Sequence, residues 1–344
     1  MSPAANCSGM YESVKDQIKY ERREGMQSDL IDPDENNKNG RPELVDDGWL
    51  SPVSWKVAEE ADIWVCHAKI PSELKQAYFD KKVTVCVLHG PSEHMLLKEW
   101  MTERRVEAFH LHIRILWSYD ATVVLNQHEY DIMQLFDEHD RLYYIPNSID
   151  LERYQDRKVP KWNYQYHPAI CSFDVPRLEK LPASLIWSGP RIRKRIPDAR
   201  LSIFSLELES ISTWRNMFCK SKHRNLELAC ENIQFKSNDL RSYMKGADIV
   251  FNNNYSGILS RVGMECMAMG VPVVSYGGDY TKYHARIFDL DSIAEQMEYC
   301  WNDLRAPDSK LRQETRRYAN KNFSRAREVK KYVKLYESLL SKKK

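Results

Sequence analysis

The chain has 344 residues, 42% of them hydrophobic and 29% charged, and its 51 basic and 49 acidic side chains leave a formal net charge of +2. That composition is ordinary for a soluble globular protein, the length allows two domains with a core each, and the charge balance gives no independent support for a nucleic-acid partner. No run of about 18 apolar residues is present and the opening residues lack the basic-then-apolar order of a signal peptide, so neither a transmembrane segment nor a secretory leader is expected.

In chain order, Ser8-Gly9-Met10 reads as a glycine turn, with Gly9 where backbone amides approach phosphate or acceptor. Only seven residues precede Ser8, so the first strand lies within 1–6 or the chain is truncated. A helix is expected over 11–23, a polar loop over 29–47 and a helix over 55–60. A strand over 62–66 ends at His67, and one over 83–88 ends at His89-Gly90. Then come a helix over 93–117, a strand over 121–125, a helix over 128–136 and a strand over 142–145. Ile145-Pro146-Asn147-Ser148-Ile149-Asp150 reads as a domain seam, because proline stops the ladder and asparagine starts a turn. Beyond it, strands are expected over 169–173, 200–204, 248–251 and 272–275. Helices are expected over 178–196, 239–245, 261–269, 292–303, 308–321 and 325–340. The alternation is that of an α/β fold with parallel sheets, and the short, non-alternating apolar strands fit sheets covered by helices on both faces. The 8 cysteines show no C-x-x-C pair; Cys66, Cys86, Cys171 and Cys266 sit in apolar surroundings, as buried thiols of a reducing, cytoplasmic compartment do. A zinc site is not expected.

Glu265 is the single carboxylate of the apolar helical run 261–269, which exits through Gly270-Val271-Pro272. A carboxylate accepts from two hydroxyls at once, as recognition of a diol requires; the alternative is a charge on an exposed helix face. The preceding loop, with Asn254, Tyr255, Ser256, Gly257, Ile258 and Leu259, can turn backbone N–H groups toward a phosphate. Arg177 and Lys180 follow the 169–173 strand, where two cations would stabilise a departing phosphate; the alternative is surface charge. His89 ends a buried strand at the sheet edge where ligands bind in such folds, or it caps a turn; His67 ends its strand in the same way and is more often structural. Walker, dinucleotide-binding and serine-hydrolase glycine motifs are all missing.

The stretch Gly263-Met264-Glu265-Cys266-Met267-Ala268-Met269-Gly270-Val271-Pro272-Val273-Val274 resembles E-A-M-A-x-G-x-P-V-[IV], the sugar-nucleotide signature of retaining glycosyltransferases of family 4. The seam resembles their I-P-N-G-[VI]-D hinge. Val85 to Gly90, Ser118 to Asn126, Asp239 to Val250 and Arg316 to Ser324 resemble further elements in the same order, over most of residues 60–340. The resemblance implies the GT-B fold: two facing Rossmann-like domains with a cleft between them. Residues 1–147 would be the acceptor domain, 148–324 the donor domain and 325–344 a helix crossing back. It implies a hexosyl- or pentosyltransferase using a nucleotide-sugar, UDP-linked by preference, with retention, front-face attack, no metal and no cofactor beyond that substrate. Glu265 would face the ribose, Arg177 and Lys180 the diphosphate, and His89 the sugar, with Asn254, Ser256, Gly257, Ile258, Leu259 and Gly9 also at the donor. The family usually carries a second glutamate eight positions before Glu265, where this chain has Gly257, so the sugar contact and activity itself stay open; Asn252, Asn253 and Asn254 are partial substitutes. The spacing of three between Arg177 and Lys180 is shorter than G-R-x-x-x-x-K-G and is similar to that of phage DNA α-glucosyltransferases. The acceptor is open among glycan, lipid-linked sugar, protein, small molecule and modified DNA. One alternative is a viral-type enzyme of the host cytoplasm acting on hydroxymethylated bases, with 98–114 as a basic face or merely a solvated helix. The others are a non-catalytic nucleotide-sugar-binding subunit and a GT-B-like phosphorylase or epimerase.

Overall fold

A computed structural model of the chain describes residues 9–30, 43–45, 48–50, 60–67, 82–89, 116–154, 159–174, 183–204, 232–234 and 240–343. Its strands are β1 (Glu43–Val45), β2 (Gly48–Leu50), β3 (Ile63–His67), β4 (Val83–Leu88), β5 (Ala121–Val124), β6 (Leu142–Tyr144), β7 (Ala169–Ser172), β8 (Arg200–Phe204), β9 (Asn232–Gln234), β10 (Ile249–Asn252) and β11 (Val273–Ser275). Its helices are α1 (Gly9–Arg23), α2 (Gln127–Met133), α3 (Ala183–Arg195), α4 (Leu240–Gly246), α5 (Arg261–Ala268), α6 (Leu290–Arg305), α7 (Leu311–Asn322) and α8 (Arg325–Lys343). The chain divides into two compact units, Met1–Ser148 with Arg325–Lys344, and Ile149–Ser324.

In the first unit β3, β4, β5 and β6 form a parallel sheet in that order, with Val85 opposite Ala121 and Thr122 opposite Leu142. Successive side chains of a strand point to opposite faces. Val83, Val85 and Val87 of β4 therefore pack with Ala121, Val123 and the α8 residues Tyr332, Leu335, Tyr336 and Leu339. Cys86 and Leu88 pack on the other face with Leu116, Tyr119, Val124, Met133 and Leu142. Burial on both faces is why β4 is apolar at every position but Thr84. Helix α1 joins α8 through a buried polar group: Gln17 Nε2 donates to Glu21 Oε1 at 2.9 Å and Tyr336 Oη donates to the same oxygen at 3.0 Å. Arg325, at the start of α8, donates through Nη2 to Ser13 Oγ at 2.6 Å and to the Ser148 carbonyl at 2.9 Å.

The second unit holds a five-stranded parallel sheet in the order β11-β10-β7-β8-β9. On one face Cys171, Val250 and Val273 meet Met244 of α4 and Met264 and Met267 of α5. On the other, Ile170, Ile249, Phe251 and Val274 meet Leu185 and Ile192 of α3 and Ile293 and Met297 of α6. Each fully buried aliphatic side chain contributes about 1.5–3 kcal/mol. Asp248, just before β10, accepts from the Ala169 amide at 2.9 Å and from Arg312 Nη2 at 3.0 Å, and lies 2.6 Å from His167 Nδ1. It pins the start of β7 to α7.

The expected elements recur with four departures. The stretch expected as a loop through residue 47 includes β1, which pairs antiparallel with β2, Leu44 opposite Trp49. Strand-forming residues flank the polar centre there, and they outweigh the average composition. Strand β9 has one apolar residue in three, too few for a sequence signal. The helix expected over 128–136 begins at Gln127, because Asn126 Oδ1 accepts from the Glu129 amide at 2.7 Å as an N-cap, and it gives way to a 3-10 turn over Gln134–Phe136. A second short 3-10 turn, Leu151–Tyr154, follows the seam. The strand expected within 1–6, most of the helices expected over 55–60 and 93–117, and the start of that over 178–196 lie outside the described residues.

Replacing Asp248 with alanine should lower unfolding free energy by about 1–3 kcal/mol, because the Ala169 amide loses its acceptor and the Arg312 guanidinium its carboxylate partner. Urea denaturation measures this; an unchanged midpoint would show that the carboxylate does not join β7 to α7.

Candidate functional site

The second sheet reverses its winding at β7: β8 and β9 lie to one side of it, β10 and β11 to the other. Such a reversal leaves a crevice outside the carboxyl ends of the two strands that meet there, and open α/β sheets bind ligands in it. Here the strands are β7, followed by Phe173 and Asp174, and β10, followed by Asn253, Asn254 and the loop into α5.

That loop is shaped by buried asparagines. Asn252 Nδ2 lies 3.0 Å from the Ile258 carbonyl, 3.2 Å from Ser275 Oγ and 3.0 Å from Tyr280 Oη. Asn254 Nδ2 also donates to the Ile258 carbonyl, at 3.0 Å, and its Oδ1 accepts from Ser256 Oγ at 2.9 Å. Asn253 donates through Nδ2 to Ser172 Oγ, and its amide donates to Asp174 Oδ2 at 3.4 Å, which ties β10 to β7 at the switch point. The asparagine side chains thus fasten the loop. Ser256 is exposed, Ile258 half-buried, and Leu259 enters the core below.

Gly257 has φ +70°, and a Cβ there would lie 3.0 Å from Gly277 Cα and 3.1 Å from its carbonyl carbon. Its own carbonyl accepts from Tyr280 Oη at 2.9 Å. The backbone at 257 is therefore left-handed and pressed against the loop after β11, so a glutamate there would be strained as well as crowded. Gly263 has a different reason: a Cβ would meet Leu259 Cδ1 at 2.4 Å.

Ser260 caps α5, its Oγ accepting from the Gly263 amide at 3.1 Å. Glu265 is 8% exposed, so it does not lie on a solvated helix face. Its Oε1 accepts from Arg261 Nε at 2.9 Å, one turn earlier. Nothing in the sequence reading assigned Arg261 a part; its spacing of four from Glu265 is the signal. Asp174 was likewise passed over, although it follows the strand end.

In the first unit, His67 and His89 end adjacent strands, and His67 Nδ1 lies 2.7 Å from His89 Nε2. One nitrogen must donate and the other accept, so at most one ring of the pair is comfortably charged. Gly9 is the first residue of α1. Asn254, Ser256, Gly257, Ile258, Leu259 and Glu265 thus come together in the second unit, whereas His89 and Gly9 belong to the first. Arg177 and Lys180 lie outside the described residues. Among the described residues no three His, Cys, Asp or Glu side chains group as metal ligands, and no helix is long and apolar enough to cross a membrane.

No protein-family model and no curated protein matches the sequence. Solved structures do match. Sucrose-phosphate synthase from Thermosynechococcus elongatus superposes with a TM-score of 0.75 at 13% identity, covering 97% of this chain and 94% of that one. The chain has the GT-B fold. Anabaena HepE, solved in complex with UDP and glucose, matches at a TM-score of 0.64 and 14% identity over 96% of each chain. A glycosyltransferase from Rickettsia africae matches at 0.61 and 14% over 97% of this chain and 96% of its own. At such identities the likeness is one of fold, and the residues of this GT-B chain must speak for its chemistry.

Gly257→Ala should cost about 1–2 kcal/mol of stability, read from urea or thermal unfolding, because alanine resists the left-handed backbone; a neutral effect would contradict the strain. The His pair sets a pH dependence. Desolvation of the largely buried ring, with the charges of His89 and Arg325 adding to it, holds the His67 imidazole well below its usual range. The unfolded chain takes up a proton as pH falls through about 6.5 and the folded chain does not, so stability is full above that pH and lost below it. The unfolding midpoint should drop between about pH 7 and about pH 5, and His67→Gln should flatten the drop. A wild-type midpoint that is constant over that window would contradict the assignment.

Proposed function

We propose that this GT-B chain is a glycosyltransferase whose donor is a nucleotide-activated sugar bound by the second unit. The observation that carries the reading is Glu265: a lone, nearly buried carboxylate on a capped helix that starts at the switch point of the sheet. The N-terminus of α5 would meet a diphosphate with its first-turn N–H groups and the positive end of its dipole, and the carboxylate would accept from ribose hydroxyls. Arg177 and Lys180 would meet the charge that grows on the leaving phosphate, and His89 would orient the sugar. With cations and a helix end to neutralise the diphosphate and no side-chain nucleophile assigned, we read the reaction as metal-independent front-face transfer with retention. UDP is the first donor nucleotide to test. Cys66, Cys86, Cys171, Cys266 and Cys300 are free thiols, which fits a cytoplasmic enzyme.

A second reading has a specific observation behind it. The backbone at Gly257 is unsuited to the family's other glutamate, so a subunit that binds nucleotide-sugar without turning it over is the alternative.

A panel of UDP- and GDP-sugars, assayed for nucleoside diphosphate release with and without hydroxymethylcytosine DNA, separates these readings. Slow release from one donor is expected, and Glu265→Ala should weaken binding of that nucleotide about 10- to 100-fold, as the loss of a charged hydrogen-bond acceptor does. Release only with the DNA would establish the DNA-modifying activity. Nucleotide binding without release from any donor would favour the non-catalytic subunit, and no binding of any nucleotide would refute the proposal.

A further inference from the structure

The Arg261–Glu265 pair is poorly explained as a stabilising device. Both side chains are nearly buried, 9% and 11% exposed, with Nε and Oε1 2.9 Å apart. Buried ion pairs bring little net stability, because desolvation offsets their attraction. Their order along the helix is also the unfavourable one. Arg261 is the first residue of α5, at the end where the backbone dipole is positive, and the carboxylate follows four residues later. A helix built for its own stability would hold the acid first and the base last.

The arrangement makes sense for a ligand. Helical side chains lean toward the N-terminus, so the Glu265 carboxylate reaches back over the turn that carries Arg261, toward the loop that opens the site. Glu265 is the single carboxylate of residues 252–269. A carboxylate that is to accept from two adjacent hydroxyls must be held in one rotamer, because a swinging acceptor discriminates poorly. The short, directional contact from Nε fixes one oxygen of Glu265 and thereby the plane of the group.

Resting on the nucleotide-sugar reading of the site, we infer that Arg261 is a positioning residue for ribose recognition. It orients the Glu265 carboxylate so that the donor nucleotide is read by its 2′- and 3′-hydroxyls. Arg261 does not itself contact the ribose in this reading. Its loss should remove discrimination between ribose and deoxyribose without abolishing nucleotide binding.

The test is calorimetric titration of the full chain with UDP, 2′-deoxy-UDP and 3′-deoxy-UDP. The wild type should prefer UDP by about tenfold, the worth of one charged hydrogen bond. In Arg261→Met the ratio should fall to near one, while affinity for the deoxy nucleotides stays within about threefold. Glu265→Gln should lose the same ratio, and the double variant should lose no more. Arg261→Lys keeps the charge without the planar Nε contact and should lose most of the ratio; it serves if the methionine variant fails to fold. A variant at 261 that folds and retains the full preference for UDP overturns the inference while leaving the nucleotide reading intact. A wild type that binds UDP without preferring it over the deoxy forms overturns the inference while nucleotide binding itself stands, and one that binds neither these nor the guanosine counterparts overturns both.

Discussion

The candidate site depends on one constraint: the loop between β10 and α5 must reverse direction over buried ground while the backbone groups of that turn find partners. Asn252, Asn253 and Asn254 meet that demand. Their side chains satisfy the Ile258 carbonyl, Ser172, Ser275 and Tyr280, and they leave the backbone of 255–260 curved above them. Apolar residues at 252 and 254 together would leave the Ile258 carbonyl without these donors, and one at 253 would remove a partner of Ser172 Oγ, each at a cost of about 1–3 kcal/mol. The left-handed turn at Gly257 follows from the same geometry, since the loop closes against Gly277 and leaves no room for a Cβ. Helix α5 then starts at the switch point, capped by Ser260.

The first unit likewise buries polar groups in small hydrogen-bonded sets. Arg325 begins α8 and binds both Ser13 and the Ser148 carbonyl, so the last helix is fastened to α1 and to the end of the unit's first segment. Gln17, Glu21 and Tyr336 form a second set. Burial raises the Glu21 carboxyl above its usual range, although its hydrogen bonds oppose that shift. His67 and His89 form a third set at the strand ends.

The fold was legible in the sequence wherever burial imposed a pattern. Strands such as β4, β7 and β10 are buried along their whole length and mostly apolar because helices cover both faces, and that distinguishes them from surface strands. Glu265 was legible for the complementary reason: one carboxylate in a mostly apolar helical run must have a partner or a ligand. What escaped depends on tertiary contacts. Gly257 reads from sequence as a donor-loop residue and as a missing glutamate, and its pressure against Gly277, twenty positions on, has no local signal. Arg261 looked like an ordinary basic residue, because a salt bridge of reversed polarity in a first turn is not what helix rules anticipate. His67 read as more often structural, and its contact with His89 appears only once β3 and β4 are aligned. Strand β9 is too short and polar to stand out, and β1 was hidden in the composition of its polar neighbours.

The central claim is that the carboxyl edge of the second sheet, at β10 and α5, receives a nucleotide diphosphate. Amide hydrogen exchange across the whole chain, with and without saturating UDP, tests it most directly. Slowed exchange over residues 253–265, strongest from Tyr255 to Gly263, is the expected result. Exchange in that loop left unchanged by UDP, with protection confined to other segments or absent altogether, would contradict it.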